Sequence, residues 1–123
     1  MEFDIMVKLV IKDWDSIRRE TIANVEKKIP QKEDKIIYVE SIDAARKLMT
    51  NERMRLLRTV KKQKPDSIYS LAKMLGKNFK TVSVDTNMLR DIGVIKFEYH
   101  QVGLRNLIRP VVGASKIQVE WSV

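Results

Sequence analysis

Between Asp66 and Tyr99 the chain reads DSIYSLAKMLGKNFKTVSVDTNMLRDIGVIKFEY, two short amphipathic patterns each closed by a glycine, then a β-branched and aromatic run. Ile68, Leu71, Ala72 and Leu75 recur on one helical face. Asp66 or Ser67 can accept from the free N–H groups of the first turn, and Pro65 discourages an earlier start. Gly76 closes this helix, because a position just past a helix end usually needs a positive φ, which glycine adopts without a Cβ clash. A turn of only a few residues follows, and Asn78 is placed to cap a second helix. In that helix Phe79, Val82, Thr86 and Leu89 form the inward stripe, while Lys80, Thr81, Ser83, Val84, Asn87 and Arg90 point elsewhere. Gly93 closes it in turn.

The run from Val94 to Tyr99 suits a strand, and the chain returns from Leu107 to Val112 after a loose tip that holds His100 and Arg105. The layout is that of a helix-turn-helix leading into a hairpin wing. Upstream, Ser41 caps a short helix with Ile42, Ala45, Leu48 and Met49 inward, and Thr50 caps a longer one running to about Lys62 on Met54, Leu57 and Val60. Residues 2–12 alternate as a strand, with Phe3, Ile5, Val7, Leu9 and Ile11 on one side. A helix from Asp13 or Asp15 to about Lys28 follows, carrying Trp14, Ile17, Thr21 and Val25, and Pro30 stops it. Residues 31–35 are charged and aperiodic, hence a loop, and residues 36–39 form a short strand. At the C-terminus Ile117, Val119 and Trp121 alternate with Lys116, Gln118 and Glu120, the pattern of one more half-buried strand. The expected class is α+β, a winged helix-turn-helix over residues 36–123 preceded by a strand-helix extension over residues 1–35 that builds a dimer.

Composition narrows the function classes. The net charge of +8 is uneven: residues 1–43 carry eight Lys/Arg against ten Asp/Glu, and residues 44–123 carry sixteen against six. All of the excess lies with the helix-turn-helix, where such a field concentrates a polyanion in a salt-dependent way. The chain has no cysteine and one histidine, so Cys-based zinc or iron–sulfur ligation, cysteine nucleophiles and a His-pair metal site within one chain are excluded. There is no glycine-rich phosphate loop, and His100 alone cannot complete a Ser-His-Asp arrangement. No enzyme activity, metal or other cofactor is therefore expected. No apolar run reaches the roughly 18 residues of a membrane span, and residues 1–6 do not read as a signal peptide, so the expected location is the cytoplasm.

Residues from about 36 to 97 resemble small prokaryotic winged-helix regulators, broadly the MarR and ArsR families. Ser41, Thr50, Arg53, Leu56, Leu57, Ser67, Ile68, Leu71, Ala72, Leu75, Gly76, Lys80, Val82, Asp85, Leu89, Gly93 and Ile95 stand where that pattern has them. The resemblance implies a dimeric, sequence-specific DNA-binding regulator. The chain departs from the pattern at Asn78, where Asp is usual, at Thr81, where Asn is usual, and at Thr86, where Leu is usual, so base preference does not carry over.

Residues and resemblance together predict a homodimeric regulator of transcription that reads an inverted repeat in double-stranded DNA. Lys80, Thr81, Val84 and Asn87 face bases, Lys77 and Ser83 support backbone contacts, and Asn78 and Arg90 are further candidate DNA-binding residues. Arg105 and Arg109 reach phosphate or the minor groove from the wing. Arg53, Arg55, Arg58, Lys61, Lys62 and Lys64 on the preceding helix are further candidates for phosphate contact. The alternative is an antitoxin-like or adaptor module that chiefly binds a partner protein through its N-terminal part.

Overall fold

A computed structural model describes residues 5–12, 15 and 35–121. The helix expected between residues 13 and 28 lies, apart from Asp15, outside the described residues, as do residues 2–4 of the first strand and most of the loop at 31–35. The class is mixed α+β. The chain divides into two compact units, Met1–Met49 with Ser115–Val123, and Thr50–Ala114. The sequence pattern placed a boundary at residue 35 instead. The difference arises because strands distant in sequence pair with one another, which no local pattern records.

In the first unit β1 (Met6–Ile11) lies between β2 (Lys35–Val39) and β5 (Lys116–Trp121), and both pairings are parallel. Val7, Leu9, Val10 and Ile11 are all buried, so β1 is covered on both faces, as expected of the central strand of a parallel sheet. Helix α1 (Ile42–Leu48) starts at Ser41, whose hydroxyl accepts from the Ala44 N–H at 3.1 Å. It sets Ala45 against Leu9, Ile11 and Val39, with Ile37, Ala44, Leu48 and Met49 around them. Ile42, expected inward, is exposed. Val119 and Trp121, read as the covered side of β5, are 55 % and 62 % exposed.

In the second unit helix α2 (Asn51–Gln63) is capped by Thr50, whose hydroxyl accepts from the Arg53 N–H at 3.2 Å. Its buried residues are Leu56 and Val60, whereas Met54, expected inward, is exposed. The inward stripe is Arg53, Leu56 and Val60, spaced three and four apart; a charged residue leads it, which is why the apolar pattern suggested a slightly different face. Helix α2 ends at Lys64 in the left-handed region, at φ 47° and ψ 62°. Helix α3 (Ile68–Leu75) follows from the Ser67 cap, and α4 (Phe79–Asp91) from the Asn78 cap. Ile68, Leu71, Ala72, Leu75, Val82, Leu89, Ile92, Val94 and Ile95 are buried, and with Leu56 and Val60 they make the core of this unit.

Strands β3 (Ile95–Val102) and β4 (Arg105–Val112) pair antiparallel, from Ile95 opposite Val112 to Val102 opposite Arg105. The loose tip expected around His100 is instead a two-residue connection, Gly103-Leu104. Gly103 has φ +61° and Leu104 is not in the positive-φ region, as a type II′ hairpin turn uses. His100 is therefore a strand residue. Among the described residues no helix is long and apolar enough to cross a membrane.

Candidate functional site

The segment joining α3 to α4 is held by backbone bonds that its glycine permits. Gly76, at φ 67°, donates to the Lys73 carbonyl at 3.2 Å, and Lys77 donates to the Ala72 carbonyl at 3.1 Å. This pair of bonds is the Schellman closure. Two residues later the Asn78 side-chain oxygen accepts from the Thr81 N–H at 2.8 Å and starts α4. The end of α4 repeats the device at Gly93, with Gly93 donating to Arg90 and Val94 to Leu89, both at 3.0 Å. Helix α4 is thus delimited at both ends by capping chemistry legible in its residues.

Val82, Thr86 and Leu89 anchor α4 on its inner side. Thr86 is fully buried, and its hydroxyl donates to the Val82 carbonyl at 2.6 Å, so the polar atom is satisfied within the helix. Asp85 lies beside this stripe, and its Oδ1 accepts from Arg53 Nε of α2 at 3.2 Å. Arg53 is accordingly part of the scaffold that orients α4.

On the other side Lys80, Thr81, Val84 and Arg90 are exposed and Ser83 and Asn87 are half-buried, as the spacing predicts. Asn78 is exposed and acts as the cap. Phe79, expected inward, is 50 % exposed. Like Ile42, it is the first residue of its helix, a position that exposes these two side chains although Ile68 at the start of α3 is buried. Beside the candidate polar set, Phe79 and Val84 therefore add two apolar groups to the exposed surface of α4.

The remaining candidates differ in how free they are. Lys77 is ion-paired with Glu52 of α2. The Arg90 guanidinium lies over the Phe97 ring, 4.8 Å from its centroid, and 3.4 Å from Asp91, so it braces α4 against β3. Arg109 stands between Asp66 at 3.6 Å and Glu98 at 4.0 Å, a half-buried position on β4 well away from the hairpin tip. Arg105 borders the tip and is exposed, next to a fully exposed Leu104. Arg55, Arg58, Lys61, Lys62 and Lys64 on and after α2 are also exposed.

One contact had no signal in the sequence. His100 Nε2 lies 2.9 Å from the Asp66 backbone oxygen, and since a carbonyl can only accept, this ring nitrogen carries the proton. Together with the Arg109–Asp66 pair it ties the hairpin to the residue just before the Ser67 cap of α3. Around Arg109 and Asp66 is an open cavity of about 510 Å³, lined by Val60, Lys61, Pro65, Glu98 and Val111 among others. Among the described residues no group of His, Asp and Glu side chains could hold a metal ion.

A family model described as HVO_A0114 matches residues 48–119, which takes in all of the second unit and most of β5. No curated protein matches the chain.

Proposed function

The chain belongs to the HVO_A0114 family, and we propose that residues 50–114 are a winged helix-turn-helix that binds double-stranded DNA as a sequence-specific transcription regulator, acting as a homodimer. In this proposal α4 is the recognition helix and the β3–β4 hairpin is the wing. The observation that carries it is the division of α4 into a fully buried side, Val82, Thr86 and Leu89, and an exposed side of short polar, basic and apolar groups, Lys80, Thr81 and Val84. A helix entering a major groove about 12 Å wide needs such a side. Lys80 can donate to guanine or phosphate, Thr81 can donate or accept, and Val84 and the Phe79 ring can meet thymine methyl groups. The uneven charge supports the same conclusion, since residues 44–123 carry the whole positive excess. Arg105 reaches the backbone beside the wing tip, and the exposed cations of α2 add non-specific attraction. Two such helices in a dimer would enter successive major grooves about 34 Å apart and read an inverted repeat.

The test has two stages. Selection of bound sequences from a random duplex pool is expected to return a palindromic motif. A Lys80→Ala/Thr81→Ala variant is then compared with the parent protein on the selected and a scrambled duplex. Each lost base contact is worth roughly 1–3 kcal/mol, so specific affinity should fall about 100-fold while scrambled binding falls only a few-fold. Equal loss on both duplexes, or no binding by the parent protein, would favour a module that docks on a partner protein.

A further inference from the structure

We propose that β5 is the dimerisation strand, and that two copies of the chain join their three-stranded sheets by antiparallel β5–β5 pairing about a two-fold axis through Gln118. This deepens the dimer in the functional proposal and gives it an interface. Among the described residues β1 has both edges occupied, by β2 and by β5, so it has no edge to offer a second copy. Among the described residues the free edges belong to β2 and β5. A strand edge presents unpaired N–H and C=O groups and is a template for another strand.

The residues of β5 complement themselves when the strand is reversed. Successive residues direct their backbone groups toward β1 or away from it, so a self-pairing must oppose residues of like parity, and the axis must pass through a residue. With the axis at Gln118, Lys116 lies opposite the second copy's Glu120, and Glu120 opposite the second copy's Lys116. On the other face Ile117 lies opposite the second copy's Val119, twice over. An axis at Lys116 or Glu120 would set like charges against each other. An axis at Ile117 pairs Lys116 with Gln118, and one at Val119 pairs Glu120 with Gln118, so neither matches charge with charge. Only the Gln118 register satisfies both ends of the strand. Edge strand β2, Lys35-Ile36-Ile37-Tyr38-Val39, contains no acidic residue, so its reversed sequence sets no unlike charges opposite each other.

The exposed groups fit the same occupant. Val119 and Trp121 are on the face that carries Leu9 and Ile11 in β1, yet they stand in water. In the proposed pairing Val119 packs against Ile117 of the other copy and Trp121 lies opposite its Ser115.

The experiment is sedimentation equilibrium of the full chain without DNA, so that its outcome is independent of whether DNA is the ligand. The parent protein is expected to be dimeric at micromolar concentration. Lys116→Glu sets two pairs of acidic residues face to face, and Glu120→Lys two pairs of lysines. Each is expected to raise the dimer Kd at least about tenfold. An equimolar mixture of the two variants restores both ion pairs and is expected to form a heterodimer of near-parental affinity, as is the double variant with itself. Both positions are exposed or half-buried, and circular dichroism of each variant checks that the fold is kept. A monomeric parent protein, single variants that dimerise as the parent does, or a mixture that stays monomeric would overturn the proposal. A monomer that still selects a DNA motif would leave the DNA-binding proposal standing on a single half-site.

Discussion

The Arg53–Asp85 pair is the most consequential polar contact beneath the proposed recognition helix. Arg53 is in phase with Leu56 and Val60 on α2, and Asp85 is beside the buried stripe of α4, so the bond links the two helices from within. Its side chains are only 13 % and 20 % exposed, and Nε to Oδ1 is 3.2 Å. A charge-assisted hydrogen bond contributes roughly 1.5–3 kcal/mol, and partial solvent access lowers the upper end, so a coupling of about 2 kcal/mol is expected. Asp85→Ala alone should cost about 2–3 kcal/mol, because the guanidinium stays largely enclosed without its carboxylate. For a domain of this size that corresponds to a fall in Tm on the order of 10 °C. The assay is a double-mutant cycle, Arg53→Ala, Asp85→Ala and both, by urea unfolding at low and at 0.5 M salt. Screening acts mainly on exposed charges, so most of the coupling should survive the added salt. The Asp43–Arg46 pair on α1 is the control: at 3.9 Å and 83 % and 78 % exposed, it should show no more than about 0.5 kcal/mol. A coupling below about 0.5 kcal/mol at Arg53–Asp85 would mean that apolar packing alone sets α4 against α2, and would refute the scaffold role given to Arg53.

Two further substitutions probe the backbone and core that hold α4. Thr86→Val removes a hydroxyl that donates to a helix carbonyl, so stability should change by less than about 1 kcal/mol, whereas Thr86→Leu should overfill a fully buried site and cost about 1–3 kcal/mol; thermal unfolding of both checks the order. Lys64→Gly should raise stability by up to about 1 kcal/mol, because a side chain at φ 47° is strained and glycine is not; a lower urea midpoint would show that Lys64 makes compensating contacts.

Much of the second unit is legible in its residues because its determinants are local. Ser67, Gly76, Asn78 and Gly93 act within a few residues of themselves, and their caps and closures form where the spacing sets them. The inner face of α4 follows from the positions of Val82, Thr86 and Leu89, and its outer face from what remains. Misreadings cluster where a side chain's fate depends on something other than periodicity. Phe79 and Ile42 follow the helical phase, yet each stands at a helix start where cover depends on neighbouring elements: Ile68, at the start of α3, has that cover and they do not. Met54 fits an apolar stripe as well as Leu56 does, and a charged residue, Arg53, claims the inward face because Asp85 is there to meet it.

The helix limits, the buried and open sides of α4, and the concentration of positive charge in residues 44–123 are therefore written in the residues themselves. Tertiary structure alone decided which cations are free, since Lys77, Arg90 and Arg109 acquire Glu52, Phe97 and Asp66 from elements up to forty-odd residues away. It also decided that β1, β2 and β5 form one parallel sheet, with β5 at an edge. The physical reason is the same in each case. Caps and helical phase depend on dihedrals and neighbours a few residues apart, whereas ion pairing and strand pairing depend on distances that exist only once the chain has closed its long loops.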